Sequence, residues 1–335
     1  MIIKRIAVLR ALYVGDFICA EPALRALKTR FPRAELTYIG LPWIEPFLAR
    51  YRYIDRFLPF PGCQGISEVP YEPAATEAFL AKAGKMGFDL AIQMHGSGPE
   101  SNDFVAGLGA QVSLGYTPPG SKSPLSHPIV YPGDRVHEAR KWLALVAHVG
   151  ATGLPRPELP ILAAEATEAE EMLSPLDRSR PIVALHAGSR SAARRWPPER
   201  FAALADQLWD QQGCQIVLTG GPDDAGINTL VRRACRAPVL DLAGKTSLGS
   251  LAALLERVDL LVTNDSGPSH IAWARAVPSV VLFGPTEPAR WAPLDTRRHR
   301  TVISPDHNLQ HLTLAQVWPT VSAALHWARS RQRPA

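Results

Sequence analysis

The sequence predicts an α/β protein in which one plan, a parallel sheet flanked by helices, is laid down twice. Three observations carry that prediction. Short apolar runs alternate with stretches of helical spacing, the strand–helix–strand grammar of a parallel sheet. Residues 150–160 (Gly-Ala-Thr-Gly-Leu-Pro-Arg-Pro-Glu-Leu-Pro) place three prolines and two glycines in eleven positions, which forbids a helix and marks an exposed linker. Beyond the linker the same grammar restarts, and its strand candidates end in small polar loops at the edge where open α/β sheets bind ligands. At 335 residues the chain has room for two domains of about 150 residues each.

In the N-terminal half, Ile2 to Leu9 is expected as a strand and Arg10 to Cys19 as a loop carrying Gly15-Asp16. The next helix shows Ala20, Ala23, Leu24, Leu27 and Phe31 on one face. Leu36 to Ile39 reads as a strand, Pro42 to Tyr51 as a helix and Arg56 to Phe60 as a strand. Residues 61–72 read as loop, 73–84 as helix, Phe88 to Ile92 as strand, and Gln93 to Pro99 as a turn through Met94-His95-Gly96. Asn102 to Leu108 is expected as a helix, Val112 to Leu114 as a short strand, 117–133 as loop and Arg135 to Val149 as a helix closed by Gly150.

In the second half, Ile182 to Ala187 is a strand candidate followed by the basic loop Gly188-Ser189-Arg190-Ser191-Ala192-Ala193-Arg194-Arg195. Trp196-Pro197-Pro198 opens a helix with Phe201, Leu204, Ala205, Leu208 and Trp209 inward, closed by Gly213. Gln215 to Thr219 is a strand ending in Gly220-Gly221-Pro222-Asp223-Asp224; a helix over roughly 224–236 and Val239 to Leu242 follow. Leu248, Leu251, Ala252 and Leu255 form the next helical stripe, Ser279 to Phe283 another strand, and Thr313 to Arg329 a terminal helix.

Composition narrows the class. A hydrophobic fraction of 46% and a charged fraction of 20% describe an ordinary globular chain. The net charge of +5 is either chance surface bias or attraction to an anionic partner. Cys19, Cys63, Cys214 and Cys235 show no CxxC pairing and read as buried free thiols in a reducing compartment. No uninterrupted apolar run of ~18 residues occurs, and the N-terminus reads as a core strand, so a cytoplasmic location is expected. Nothing sets the oligomeric state, and a monomer is the default expectation. Gly244-Lys245-Thr246 ends like a Walker A loop, but the required first glycine is Val239. No GxGxxG follows the first strand, so a dinucleotide fingerprint is absent. The histidines are scattered and no metal-ligand cluster is visible, so neither a metal nor a cofactor is expected.

The chemistry centres on Asp259-Leu260-Leu261-Val262-Thr263-Asn264-Asp265-Ser266-Gly267-Pro268-Ser269-His270-Ile271-Ala272, a buried strand, a polar turn and a helix. Pro268 suits the first helical turn and Ser266 can cap the helix with its hydroxyl. The amides after Gly267, with the helix dipole, form an anion seat flanked by Asp265 and His270. A carboxylate beside phosphate would repel it, so Asp265 suits sugar hydroxyls. With no metal ion to balance phosphate charge, Arg190, Arg194 and Arg195 are the obvious suppliers. In the first half Asp16 is either a helix cap or a general base at the edge of its sheet. The N-terminal cations Arg25, Lys28, Arg30, Arg33, Arg50, Arg52, Arg56, Lys82, Lys85 and Lys122, interleaved with Trp43, Phe47, Tyr51 and Tyr53, either solvate helix faces or meet an anionic glycan and membrane.

Taken in order, Gly15-Asp16 with Pro22-Ala23-Leu24, Gly109-Ala110, Arg194-Arg195-Trp196-Pro197, Gly220-Gly221-Pro222, Lys245-Thr246-Ser247-Leu248, Asn264 to Ala272 and Phe283-Gly284-Pro285-Thr286-Glu287-Pro288 resemble glycosyltransferase family 9, the lipopolysaccharide heptosyltransferases. The resemblance spans roughly residues 1–295. It implies the GT-B architecture: two Rossmann-like domains with a cleft between them, the acceptor on residues 1–155 and the nucleotide sugar on 156–310. It also implies that residues 311–335 cross back to the first domain. By position, Asp16 matches the base, Asp265 the reader of sugar hydroxyls, Ser266, Gly267 and Pro268 the pyrophosphate turn, and Ser189 and Arg194 phosphate-binding positions. Asp223 matches a ribose carboxylate that is usually Glu, and Thr246 a position near the nucleobase; the family often has Lys where this chain has Arg194. The implied activity is inverting, metal-independent transfer of heptose from ADP-heptose to a lipid-anchored core glycan at the inner membrane face. The alternatives are a sugar-nucleotide epimerase of the same architecture and a non-catalytic sugar-nucleotide-binding protein.

Overall fold

A computed structural model describes residues 2–332. The chain falls into two compact units that divide between Glu158 and Leu159. The first runs β1 (Arg5–Leu9), α1 (Val14–Arg30), β2 (Glu35–Gly40), a 3-10 turn leading into the short α2 (Glu45–Leu48), β3 (Arg56–Pro59) and α3 (Pro73–Gly84), then β4 (Leu90–Gln93), α4 (Asn102–Gly107), β5 (Val112–Thr117), β6 (His127–Val130) and α5 (Glu138–Ala147). The second runs α6 (Ala163–Leu173), β7 (Ile182–His186), α7 (Pro198–Gln212), β8 (Gln215–Leu218), α8 (Ala225–Ala234), β9 (Val239–Asp241) and α9 (Leu248–Leu255), then β10 (Leu260–Asn264), α10 (Gly267–Ala274), β11 (Ser279–Phe283), α11 (Pro288–Trp291), β12 (His299–Ile303) and α12 (Leu314–Gln332).

Each unit holds a six-stranded sheet, ordered β3-β2-β1-β4-β5-β6 and β12-β11-β10-β7-β8-β9, and every pairing is parallel. This is the doubly wound Rossmann order, repeated. Central strands covered by helices on both faces need side chains apolar on both sides, which is why β7, β10 and β11 are buried along their whole length. Gly213 ends α7 in the left-handed conformation, φ 64°, as its place after the apolar stripe predicts.

Four elements differ from the sequence expectation. The first helix begins at Val14, so Gly15-Asp16 lies in its first turn and not in a loop. The stretch 117–133 contains β6, an edge strand whose polar pattern and Pro128 hide it. An edge strand of the second sheet, β12, is partly exposed and was also not foreseen, nor was the acidic α6. The terminal helix buries Val317, Val321, Ala324 and Leu325 in one core with Trp196, Phe201, Leu204 and Leu282 of the second unit. Val317, Val321 and Leu325, each worth about 1.5–3 kcal/mol on burial, anchor α12 to that core.

Aromatics of the first unit fill its core: Phe17 meets Tyr38, Phe47 and Tyr51 edge-on. Many of the N-terminal cations are committed locally. Arg25 pairs with Glu21, Lys28 with Asp55 and Arg56 with Glu35, while Arg50 is buried over Phe47. Arg33, Arg52, Lys82, Lys85 and Lys122 are exposed. The four cysteines are free; burial pushes the Cys63 thiol up to about 11 and that of Cys214 to about 12.

Candidate functional site

Parallel pairing puts the loops after β10, β7, β8 and β9 side by side, in that order, along one edge of the C-terminal sheet. The winding reverses between β7 and β10, the switch point where such sheets take ligands. Asn264 fastens this point. Fully buried, it donates from Nδ2 to the carbonyls of Ala187 (2.9 Å) and Gly188 (3.3 Å), and its Oδ1 accepts from the Trp196 N–H at 3.0 Å. The end of β10 is thereby tied to both ends of the basic loop.

Across that tie stand the two predicted charges. Arg194 Nη1 lies 3.9 Å from Asp265 Oδ2, with Asp265 buried and Arg194 44% exposed. A pair this long with an exposed cation is worth at most about 1 kcal/mol, so Arg194 can leave Asp265 for a phosphate at little cost. The neighbouring cations differ. Arg195 bends back, its Nε donating to the Ser189 carbonyl at 2.7 Å, and serves as a brace; Arg190 is exposed and Ser189 buried.

The anion seat at α10 is narrower than the sequence implied. Ser266 does not cap the helix: its hydroxyl turns back toward the strand, 3.2 Å from both the Asn264 carbonyl and Thr263 Oγ1. Pro268 has no N–H. The Ser269 N–H is taken by the Ser266 carbonyl at 3.0 Å. The amide of Gly267 and the helix dipole remain as the first-turn attraction for an anion. His270 is buried, its ring edge-on to Trp291 at 6.0 Å.

After β8 the organising carboxylate is Asp224, which sequence reading passed over in favour of its neighbour. Its Oδ2 accepts from the Gly221 N–H at 2.9 Å, and a Cβ on Gly188 would come within 2.2 Å of its Oδ1. Gly188 is thus required by close approach of the β8 loop. Asp223 beside it is exposed, and Thr246 is half-buried in the loop after β9.

In the first unit the switch point falls between β1 and β4, and Asp16 stands beside it in the first turn of α1. As a helix cap it is weak: the Tyr13 N–H reaches its Oδ2 at 3.4 Å. Next to it lies Arg10, 1% exposed, which sequence reading left in a loop. Its Nε donates to the Asp16 carbonyl (2.7 Å), its Nη1 to the Met94 carbonyl (2.5 Å), and its Nη2 lies 3.4 Å from Asp16 Oδ1 and 3.7 Å from Glu138 Oε2. Glu138 also accepts from Lys141 (2.8 Å) and the Trp142 indole (2.9 Å). One signal could have found Arg10: a charged residue closing an apolar strand is buried only if it is paired. His95, just past β4, is half-buried, and burial with the Arg10 charge pushes it down to about 4, so it is a neutral imidazole at pH 7.

Among the described residues no group of three or more His, Cys, Asp or Glu side chains is placed to hold a metal ion. Two cavities lie away from these loops. One, of about 310 Å³, is lined by Arg180, Ile182, Val258 and Asp259, and the other, of about 370 Å³, by Ile3, Leu90, Val112 and His148; both sit at the amino ends of the strands. Ligand chemistry points to the carboxyl edges, where the loops and charges are.

Comparison with known proteins identifies the family. Residues 78–315 match the model of glycosyltransferase family 9 (heptosyltransferase). The chain is 28% identical to lipopolysaccharide heptosyltransferase 2 of Escherichia coli K12 over 87% of its length and 85% of the relative's. It is equally identical to the Salmonella typhimurium LT2 protein of that name, again over 87% of this chain and 85% of the other. Among solved structures, a family 9 glycosyltransferase of Veillonella parvula superposes with a TM-score of 0.80 at 23% identity, covering 96% of this chain and 97% of that one. The ADP-heptose lipopolysaccharide heptosyltransferase II of E. coli gives 0.75 at 22% identity, covering 97% and 99%. The likeness to the solved structures confirms two Rossmann-like units, and the match over residues 78–315 settles the family: the chain belongs to glycosyltransferase family 9, the heptosyltransferases, and is a glycosyltransferase.

Proposed function

We propose that this chain is an inverting, metal-independent transferase that moves a heptose from ADP-heptose onto a lipopolysaccharide core or related glycan. The observation that carries the reading is the division of labour between the two switch points. The first presents a partly exposed carboxylate, Asp16, 3.4 Å from both the Arg10 guanidinium and the Tyr13 N–H. The second presents an exposed guanidinium, Arg194, on a loop tied to a helix N-terminus. The relatives named above are lipopolysaccharide heptosyltransferases, and an E. coli heptosyltransferase of the same fold was solved with ADP, which supports this choice of donor.

In the proposed reaction Asp16 takes the proton of an acceptor hydroxyl as that oxygen attacks the anomeric carbon. The new C–O bond forms on the face opposite the breaking bond to phosphate, so the configuration inverts and ADP leaves with the electron pair. Charge growing on ADP is met by Arg194, Arg190, Ser189 and the Gly267 amide at the α10 N-terminus with Ser266 and Pro268. Asp265 reads sugar hydroxyls with His270 behind it, Asp223 the ribose, and Thr246 the side near the base. No cofactor takes part. An acceptor of this class is lipid-anchored, and the exposed Lys82, Lys85 and Lys122 are available to an anionic leaflet.

The test is ADP release from ADP-heptose with and without a purified core acceptor, in EDTA, with the new linkage read by NMR. Acceptor-dependent release, unaffected by EDTA and yielding the inverted anomer, is expected. Release that ignores the acceptor, or that chelation abolishes and Mg²⁺ or Mn²⁺ restores, overturns the reading.

A further inference from the structure

Arg10 is a buried charge engaged by four elements of the first unit, and neither the motifs nor the proposed chemistry uses it. Its main chain is fixed by β2: its N–H donates to the Ile39 carbonyl at 2.9 Å, and the Tyr38 hydroxyl donates to its carbonyl at 2.7 Å. Its side chain spans three further elements. It bonds the first turn of α1 at the Asp16 carbonyl, the end of β4 at the Met94 carbonyl, and approaches Glu138 of α5. The guanidinium also stacks over Trp142 at 4.7 Å. A fold needing only a filled space here would use an apolar residue, since burying a guanidinium is costly unless every donor is met.

The contacts sort by strength. The short bonds, 2.7 and 2.5 Å, go to main-chain carbonyls and set where the α1 turn stands relative to β4. The contact to the Asp16 carboxylate, 3.4 Å, is long for a hydrogen bond but close for a charge. Arg10 therefore acts on Asp16 twice, by placing its backbone and by lending a positive field. We propose that Arg10 is the positioning residue of Asp16, holding the carboxylate in place and ionised for proton abstraction from the acceptor hydroxyl. This rests on Asp16 being the base.

The surrounding charges give the expected sign. Asp16 comes from α1, Glu138 and Lys141 from α5, His95 from the loop after β4 and Tyr38 from β2, with Tyr131 on Lys141. Arg10 and Lys141 balance Asp16 and Glu138. Removing Arg10 leaves one negative charge in excess. Glu138 keeps Lys141 and Trp142 as donors and is 2% exposed, against 22% for Asp16, so the proton taken up to relieve the excess goes to Asp16.

The experiment measures the pH dependence of kcat/KM, kcat and donor KM for wild type, Arg10→Gln and Arg10→Lys, with thermal melts to correct for folded fraction. For Arg10→Gln the acidic limb should move up by about one pH unit or more, with kcat at neutral pH at least about tenfold lower and donor KM unchanged. Arg10→Lys should bring the limb back toward wild type but not restore kcat, because an ammonium keeps the charge and loses the fork. A limb unmoved in both variants, or a kcat loss that only tracks the folded fraction, overturns the proposal. If Arg10→Gln does not fold, Arg10→Lys decides alone: wild-type kcat overturns it, and a lowered kcat at unchanged donor KM supports it. Asp16→Asn separates the two readings. An active Asp16→Asn sinks the base itself; an inactive one beside unaltered Arg10 variants sinks only the positioning role.

Discussion

The two sheets share one strand order and spend their polar groups in opposite ways. At the switch point of the N-terminal sheet the charges are turned inward: Arg10, Glu138 and Lys141 are buried and mutually paired, and one carboxylate, Asp16, is left partly exposed. At the switch point of the C-terminal sheet the buried tie is neutral, with a buried carboxylate, Asp265, beside it. Asn264 makes the tie with amide hydrogen bonds, and the charge is displayed outward on Arg194. On the proposed function, identical topology supports two different tasks. A proton acceptor must stay in one place, which buried ion pairs achieve; an anion site must exchange partners, which an exposed guanidinium and a backbone amide do better.

The comparison breaks most directly at Asp16. Asp16→Ala should lower kcat by ~10²–10⁴ while donor affinity stays nearly constant, the range for a lost general base. Steady-state kinetics with donor binding by calorimetry would show it. Equal losses in kcat and donor affinity would mean that the inward cluster serves binding, and the contrast between the two edges would collapse.

Arg194→Ala should do the reverse. Loss of one charge-assisted contact to phosphate corresponds to about 1.5–3 kcal/mol, or ADP binding weaker by about ten- to a hundredfold. Arg195→Ala should leave ADP affinity within about threefold, because its guanidinium already serves the Ser189 carbonyl. If the two variants lose ADP affinity equally, the loop is a diffuse basic patch and not a site with one exchanging cation.

How much of this was legible follows the same divide. Apolar runs and helical stripes announced the central strands and most helices, because burial on two faces or one leaves a periodic trace. Edge strands β6 and β12 left none: the stretch holding β6 read as loop, and the stretch holding β12 was assigned no element. Motif spacing led to Asp16, Arg194 and Asp265, which the structure places at the two switch points. It misread Ser266 as a cap and chose Asp223 where Asp224 shapes the loop, since neighbouring oxygens differ only in where they point. Arg10 and Glu138, 128 residues apart in sequence, meet only through the fold. Pairing of that kind has no local signature.

The smallest effect concerns acid. Both units bury a histidine that is neutral when folded, in different settings. His299, 2% exposed, shares a 2.8 Å hydrogen bond between its Nδ1 and Ser279 Oγ; burial pushes it down to about 3, with Asp295 opposing weakly and Arg298 assisting. His95 is half-buried and pushed down to about 4. A depressed pKa means that the unfolded chain, with histidine near ~6.5, binds the proton more readily than the native one. Stability from each group is therefore full above about pH 6.5 and falls as pH drops toward the folded value. Once the folded pKa is well below the working pH, the loss depends only on the unfolded one. For His299 it should be about 1.3 kcal/mol between pH 7 and pH 5.5. Urea unfolding at those two pH values should show His299→Asn with a pH dependence flatter by that amount, its amide still able to meet Ser279. The same change at His95 should flatten the curve by nearly the same amount over this range, because its folded value near 4 also lies well below pH 5.5. A clearly smaller flattening at His95 would mean that its folded value lies higher than burial and the field of Arg10 make it, and that the Asp16 side of the molecule is wetter than the C-terminal core.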